Sequence, residues 1–132
     1  MACSLRIKEI FELNSKIYAI EGIAHIGIDY GQVIEIYKDT IWEYKTVNKL
    51  IESPIITAKY RKEQIIVTSQ YILKMTENEQ IEQILKSPFN WGFLYPSSLF
   101  FEKNDIYLSM RQGILKIESF MTNPKYEWYL PK

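Results

Sequence analysis

The side chains that most often carry catalysis are scarce in this chain. It has one histidine, His25, and one cysteine, Cys3. His25 sits in the alternating apolar stretch Gly22-Ile-Ala-His-Ile-Gly27 and reads as a structural or loop histidine. A Ser–His–Asp arrangement would also need a nucleophile and an orienting acid, and no nucleophile elbow is present. Cys3 has no second cysteine to pair with and cannot build a zinc site, so it reads as a bystander thiol. Glu77, Glu79 and Glu82 could supply a carboxylate pair for glycoside chemistry. Interleaved with Asn78 and Gln80, they read better as a solvated turn or edge. There is no glycine-rich phosphate loop and no metal-ligand spacing. The expectation is a protein without catalytic residues, cofactor or metal.

The aromatic residues say more. Ten Tyr, six Phe and three Trp make up 14% of the chain. Tyr60, Phe100, Phe101 and Tyr107 fall inside apolar runs and read as core. Tyr30, Tyr71, Phe89, Trp91 and Tyr95 fall in connections. There they either pack between elements or face a partner.

Those connections are set by a repeat, and the repeat fixes the architecture. Ser53-Pro-Ile-Ile-Thr-Ala-Lys-Tyr-Arg-Lys-Glu-Gln-Ile-Ile-Val-Thr-Ser69 and Tyr71-Ile-Leu-Lys-Met75 align with Tyr95 to Met110 and Gly113-Ile-Leu-Lys-Ile117. Ile65 matches Ile106 at a shift of 41 and Leu73 matches Leu115 at 42, which places an extra residue in the intervening turn. A diverged copy lies upstream. In it, Lys16-Ile-Tyr-Ala-Ile20 and Gly31-Gln-Val-Ile-Glu-Ile36 are separated by a longer connection, Glu21 to Tyr30. Leu5 to Leu13 would be its first strand. The chain thus divides into copies at about 5–50, 51–87 and 88–132, within one domain.

Each copy reads as four short strands. In the last they are Ser98–Phe101, Ile106–Ser109, Ile114–Ser119 and Tyr126–Leu130. Glu102-Lys-Asn-Asp105, Arg111-Gln-Gly113 and Thr122-Asn-Pro124 supply turn residues between them. The strands are rich in Ile, Val, Tyr and Phe, which suit a pleated, partly buried surface. In the middle copy Ile81–Leu85 is the fourth strand by alignment, against a competing helix over 78–86. The fold class expected is all-β: three four-stranded antiparallel blades.

Four strands in 40 to 45 residues is the period of a β-propeller blade. The copies resemble WD-repeat-like blades, although no Gly-His or Trp-Asp signature is present. The resemblance implies a half-propeller-like assembly, because propellers typically have four to eight blades. It also implies that turns between second and third strands share a rim with the links between blades. His25, Asp29, Tyr30, Tyr71, Phe89, Trp91, Arg111 and Gln112 would cluster there. Tyr, Trp and Arg are enriched at interface hot spots. The acidic run with Glu77, Glu79 and Glu82 would add electrostatic contact with a basic partner surface.

Charge and composition narrow the partner. Sixteen Lys+Arg balance sixteen Asp+Glu, so no basic excess supports nucleic-acid binding by charge alone. No apolar run suits a membrane span, and Arg6, Lys8, Glu9 and Glu12 interrupt any signal-peptide core. A cytoplasmic protein is expected. Small chains of this kind, rich in Ile, Lys, Asn and Tyr, loosely resemble bacterial immunity proteins. That resemblance implies binding to a cognate protein toxin, commonly a nuclease, and occlusion of its active site. The alternative is a homodimer closing six blades around a two-fold axis, with a structural, small-ligand or carbohydrate-binding role.

Overall fold

The computed structural model describes residues 6–25, 28–37 and 44–132. Among the described residues, twelve strands form three four-stranded antiparallel sheets, each a simple meander. The first holds β1 (Arg6–Leu13), β2 (Lys16–His25), β3 (Ile28–Ile36) and β4 (Tyr44–Leu50). The second holds β5 (Pro54–Tyr60), β6 (Glu63–Thr68), β7 (Tyr71–Met75) and β8 (Ile81–Lys86). The third holds β9 (Ser98–Glu102), β10 (Asp105–Met110), β11 (Gly113–Glu118) and β12 (Lys125–Tyr129). Only one short 3-10 turn, Trp91–Leu94, interrupts the all-β pattern among the described residues. None of their helices is long and apolar enough to cross a membrane. The arrangement is consistent with a blade repeat, and Ile81–Lys86 is a strand as the alignment expected.

The second sheet lies between the other two. Ile66, Leu73 and Met75 on one face pack with Phe11, Leu13, Tyr18, Ile20 and Val33 of the first sheet. Ile65, Val67 and Ile72 on the other pack with Ile106, Leu108, Leu115 and Ile117 of the third. This explains why β6 has an unbroken apolar run, Ile65-Ile66-Val67: both of its faces are buried. By contrast, β10 alternates, with Ile106, Leu108 and Met110 buried and Asp105, Tyr107 and Ser109 partly exposed. The third sheet therefore has one core face and one open face. The first strands β1, β5 and β9 run side by side and tie the sheets together.

Pairing corrects the repeat alignment. Ile66 pairs with Leu73, and Leu108 pairs with Leu115, so both strands match at a shift of 42. Both turns have two residues, 69–70 and 111–112, and no residue is inserted. The counterpart of Ile106 is Gln64, and the counterpart of Ile65 is Tyr107. Adjacent isoleucines allowed a one-residue slip, which moves every side chain to the other face of a sheet. A second correction concerns 21–30. Its described residues are paired strand: β2 continues to His25 and β3 starts at Ile28, pairing Glu21 with Gln32 and Ile23 with Tyr30, while 26–27 lie outside the described residues.

A repeated backbone feature went unread in the sequence. Asn14, Arg61 and Lys103 occupy the same place in the first hairpin of each sheet, and all have positive φ, at 51°, 58° and 55°. They turn the chain between the first and second strands of their sheets.

Candidate functional site

The strand directions put the 69–70 and 111–112 turns at one end of the sheets, together with the links 51–53 and 87–97. Hydrogen bonds join these segments. Glu52 Oε1 accepts from the Thr68 hydroxyl and the Gln70 N–H, both at 2.5 Å. Asp29 Oδ1 accepts from the Ser53 N–H at 2.6 Å. Ser69 O accepts from the Gly92 N–H at 3.1 Å, and Leu94 O accepts from the Arg111 N–H at 2.7 Å. Each link is thus attached to a turn of a neighbouring hairpin.

Glycines permit the close approach. Gly22 and Gly31 face each other across β2 and β3. A Cβ on Gly31 would lie 2.5 Å from Glu52 O and 2.6 Å from Pro54 Cδ. The 51–54 segment crosses the first sheet because these two positions carry no side chain.

The 3-10 turn is the most sharply built part of this end. Asn90 caps it, accepting from the Gly92 N–H at 2.9 Å. Trp91 is fully buried, and its indole N–H donates to Thr68 O at 2.7 Å. With Trp91 fixed inward, the tight turn directs Phe93 outward, where it is 77% exposed. Tyr95 follows with φ 55° and is 60% exposed. The Arg111 guanidinium lies 4.2 Å from the Tyr95 ring centre, a cation–π contact that orients both groups. Beneath Tyr95 is a groove of about 270 Å³ lined by Lys8, Pro54, Ile55, Gly92 and Pro96. It therefore draws on all three sheets at or near the starts of their first strands.

The sequence-derived candidates separate on this framework. Asp29, Tyr71, Phe89 and Arg111 belong to the joined end, and Gln112 is exposed in its turn. Tyr30 donates to Gln32 Oε1 at 2.9 Å, and Lys86 lies over the Tyr71 ring. Phe89 packs against Trp91 and Trp128 and supports the core more than the surface. Trp91 was expected at the exposed rim; its complete burial makes it an anchor instead. The His25 side chain and Cys3 lie outside the described residues. Tyr95 was read among the connection aromatics but not placed in the cluster; Phe93 was not read at all, and the available signal was a Trp-Gly-Phe run after a capping asparagine.

No family model, curated protein or solved structure matches this chain.

The acidic candidates form no part of this end. Strand β7 runs from the 69–70 turn to the 76–80 turn, so Glu77 and Glu79 lie at its far end. Glu79 accepts from the Tyr18 hydroxyl at 2.6 Å and lies 3.8 Å from Lys16. Glu82 pairs with Lys74 at 3.2 Å, and Glu63 pairs with the same lysine at 3.3 Å. Burial opposes the charge on Lys74, yet the hydrogen bonds it donates to Glu82 and Glu63 hold its ammonium above the usual lysine range. The aromatic residues and the acidic run are thus two separate regions at opposite ends of the second sheet, and Glu79 and Glu82 are also engaged within the fold. Among the described residues, no group of three or more His, Cys, Asp and Glu is placed to hold a metal ion.

Proposed function

We propose that this chain is a protein-binding module that acts by steric occlusion, specifically an immunity protein that neutralises a bacterial toxin, with a nuclease as the expected target. The observation that carries the binding reading is the Phe93–Tyr95–Arg111 surface. Two large aromatic groups stand exposed on a turn anchored by a buried tryptophan, and a guanidinium is already stacked on one of them. Aromatic and arginine side chains held in this way lose little freedom on binding, which is what a hot spot requires. The toxin-neutralising role extends the loose compositional resemblance. A half-propeller-like stack of three blades would be its scaffold.

Co-expression tests it. The open reading frame beside this one, if it encodes a toxin domain, is expressed with and without the chain. Protected growth that Phe93→Ala and Tyr95→Ala abolish, with circular dichroism unchanged, is the expected outcome. Death of the cells whether or not the chain is present would defeat the immunity reading.

A second reading is a homodimer that closes six blades. Exposed Phe100, Ile114 and Tyr129 on the open face of the third sheet favour it. The same face also carries Asp105 paired with Lys116, and hydrogen bonds between Ser109 and both Ser97 and Ser98. Such polar groups suit a terminal repeat in contact with water. A monodisperse monomer by solution mass would remove the dimer.

A further inference from the structure

A second cavity lies at the opposite end of the second and third sheets, and its chemistry differs from that of the aromatic groove. It has a volume of about 280 Å³ and is lined by Tyr60, Arg61, Asn104, Ser119, Met121 and Thr122. Arg61 is its charged wall. The guanidinium lies 4.9 Å from the Tyr60 ring centre and donates one N–H to Asn104 Oδ1 at 3.1 Å. The Tyr60 hydroxyl in turn donates to Lys103 O at 2.8 Å. Tyr60 is itself fixed by Phe101 and Phe120, at 4.8 and 5.3 Å between ring centres. The guanidinium plane is thus held from its face and from one edge.

An arginine has five N–H donors, and one is assigned here. Among the described residues no carboxylate forms an ion pair with Arg61. Nearby acids are engaged or face elsewhere. Glu63 pairs with Lys74. Asp105 accepts from the Ser119 N–H at 3.0 Å and lies 4.0 Å from Lys116. Glu102 and Glu118 are on the open face of the third sheet, opposite Phe101 and Ile117, which point to the core. Lys62 and Lys103, both exposed, are the chain neighbours of Arg61 and Asn104 in the two hairpin turns. Ser119 and Thr122 add hydroxyl donors on the other side.

The backbone gives a second indication. Arg61 and Lys103 sit in the left-handed region, where glycine or asparagine is adopted at lower cost. The equivalent turn in the first sheet does use asparagine, at Asn14. The two hairpins that border the cavity use cations instead. We propose that this cavity binds an oxyanion of the phosphate class, held by the free edge of the Arg61 guanidinium and by the Ser119 and Thr122 hydroxyls. A planar fork braced on an aromatic ring is the geometry suited to paired N–H···O contacts with such a group.

Amide NMR of the full chain tests the proposal, with inorganic phosphate as the probe. Acetate serves as the carboxylate arm and sodium chloride at matched ionic strength as the control. Saturable shifts at Arg61, Asn104, Ser119 and Thr122 are expected with phosphate. Arg61→Gln should weaken this binding tenfold or more, equivalent to about 1.4 kcal/mol. Arg61→Gly gives an independent check, since it fits the left-handed turn and should keep the fold while losing the site. Shifts that follow chloride equally, that survive both substitutions, or that saturate with acetate alone would overturn the assignment.

Discussion

The Tyr18 hydroxyl donates to Glu79 Oε2 at 2.6 Å, joining β2 of the first sheet to the β7–β8 turn of the second. The same turn takes a further hydrogen bond at its backbone, where Glu79 O accepts from the Asn48 side-chain amide. Tyr18 is 1% exposed. Burial first, and then the hydrogen bond and negative charge of Glu79, raise its pKa well above the usual tyrosine value.

That shift fixes the direction of a pH effect. Below about pH 10 the phenol is neutral in both folded and unfolded chains, and its contribution is complete. Above that pH the unfolded chain loses the proton while the folded chain keeps it. Stability should therefore fall with rising pH, by up to about 1.4 kcal/mol per unit for this one group. Tyr18→Phe should cost about 1–3 kcal/mol near neutral pH and flatten the alkaline decline. Tyr126, raised by burial, and Lys74, raised against burial by its two carboxylate partners, leave a residual slope. Urea midpoints from about pH 8 to about pH 11 would show both effects. An equal alkaline slope in the variant would mean that Tyr18 is not the titrating group.

Gly31→Ala tests how the first link is seated. The new methyl would overlap Glu52 O and Pro54 Cδ, and neither is the end of a flexible side chain. Displacing the segment would also disturb the Glu52 contacts to Thr68 and Gln70. A loss of about 1–3 kcal/mol is expected from urea unfolding. An unchanged midpoint would show that the 51–54 segment does not pass this close to β3.

Gln64→Met should raise stability or leave it unchanged. Gln64 is 2% exposed, and its Oε1 is buried without a hydrogen-bond partner among the described residues. An unsatisfied buried acceptor costs about 1–3 kcal/mol. Methionine is close in volume and removes that acceptor. Thr57 loses the Gln64 amide donor but keeps its own hydroxyl bond to Ile65 O at 2.6 Å. A clear drop in the urea midpoint would show that Gln64 Oε1 has a partner, such as an ordered water, that stabilises the fold.

What the residues revealed in advance follows from periodicity. The alternation in Asp105–Met110 and the turn residues around it make the third sheet legible strand by strand. The middle sheet is harder because Ile65, Ile66 and Val67 are all buried, which erases the period that fixes register. The pairing of Glu21–His25 with Ile28–Gln32 was read as a connection because the two strands are longer than their counterparts in the other copies, and Gly22 and Gly31 serve a close crossing inside them. Phe93 and Trp91 were not separable by composition. Which one faces water is decided by the indole bond to Thr68, more than twenty residues away in sequence. The Tyr18–Glu79 contact is more distant still and leaves no local signal.

The corrected register yields a test of how the stack ends. Tyr18, Ile65 and Tyr107 are equivalent positions in the three second strands, each paired with a residue of the third strand: Glu35, Lys74 and Lys116. The first two face the next sheet and are buried, whereas Tyr107 faces no sheet and is half-buried. Ile65→Asp would bury a carboxylate between two sheets, beside a Lys74 ammonium already shared by Glu63 and Glu82, and should cost roughly 3–5 kcal/mol or unfold the chain. Tyr107→Asp removes a ring contact with Phe100 and a cation–π contact with Lys116, but its carboxylate can stay hydrated beside that lysine. Its expected cost is about 1 kcal/mol or less. Unfolding midpoints for both variants, with solution mass before and after substitution, separate the cases. A large loss in Tyr107→Asp together with a halving of mass would mean that a second copy covers the open face. A small loss at constant monomer mass would leave the third sheet as the hydrated end of the stack.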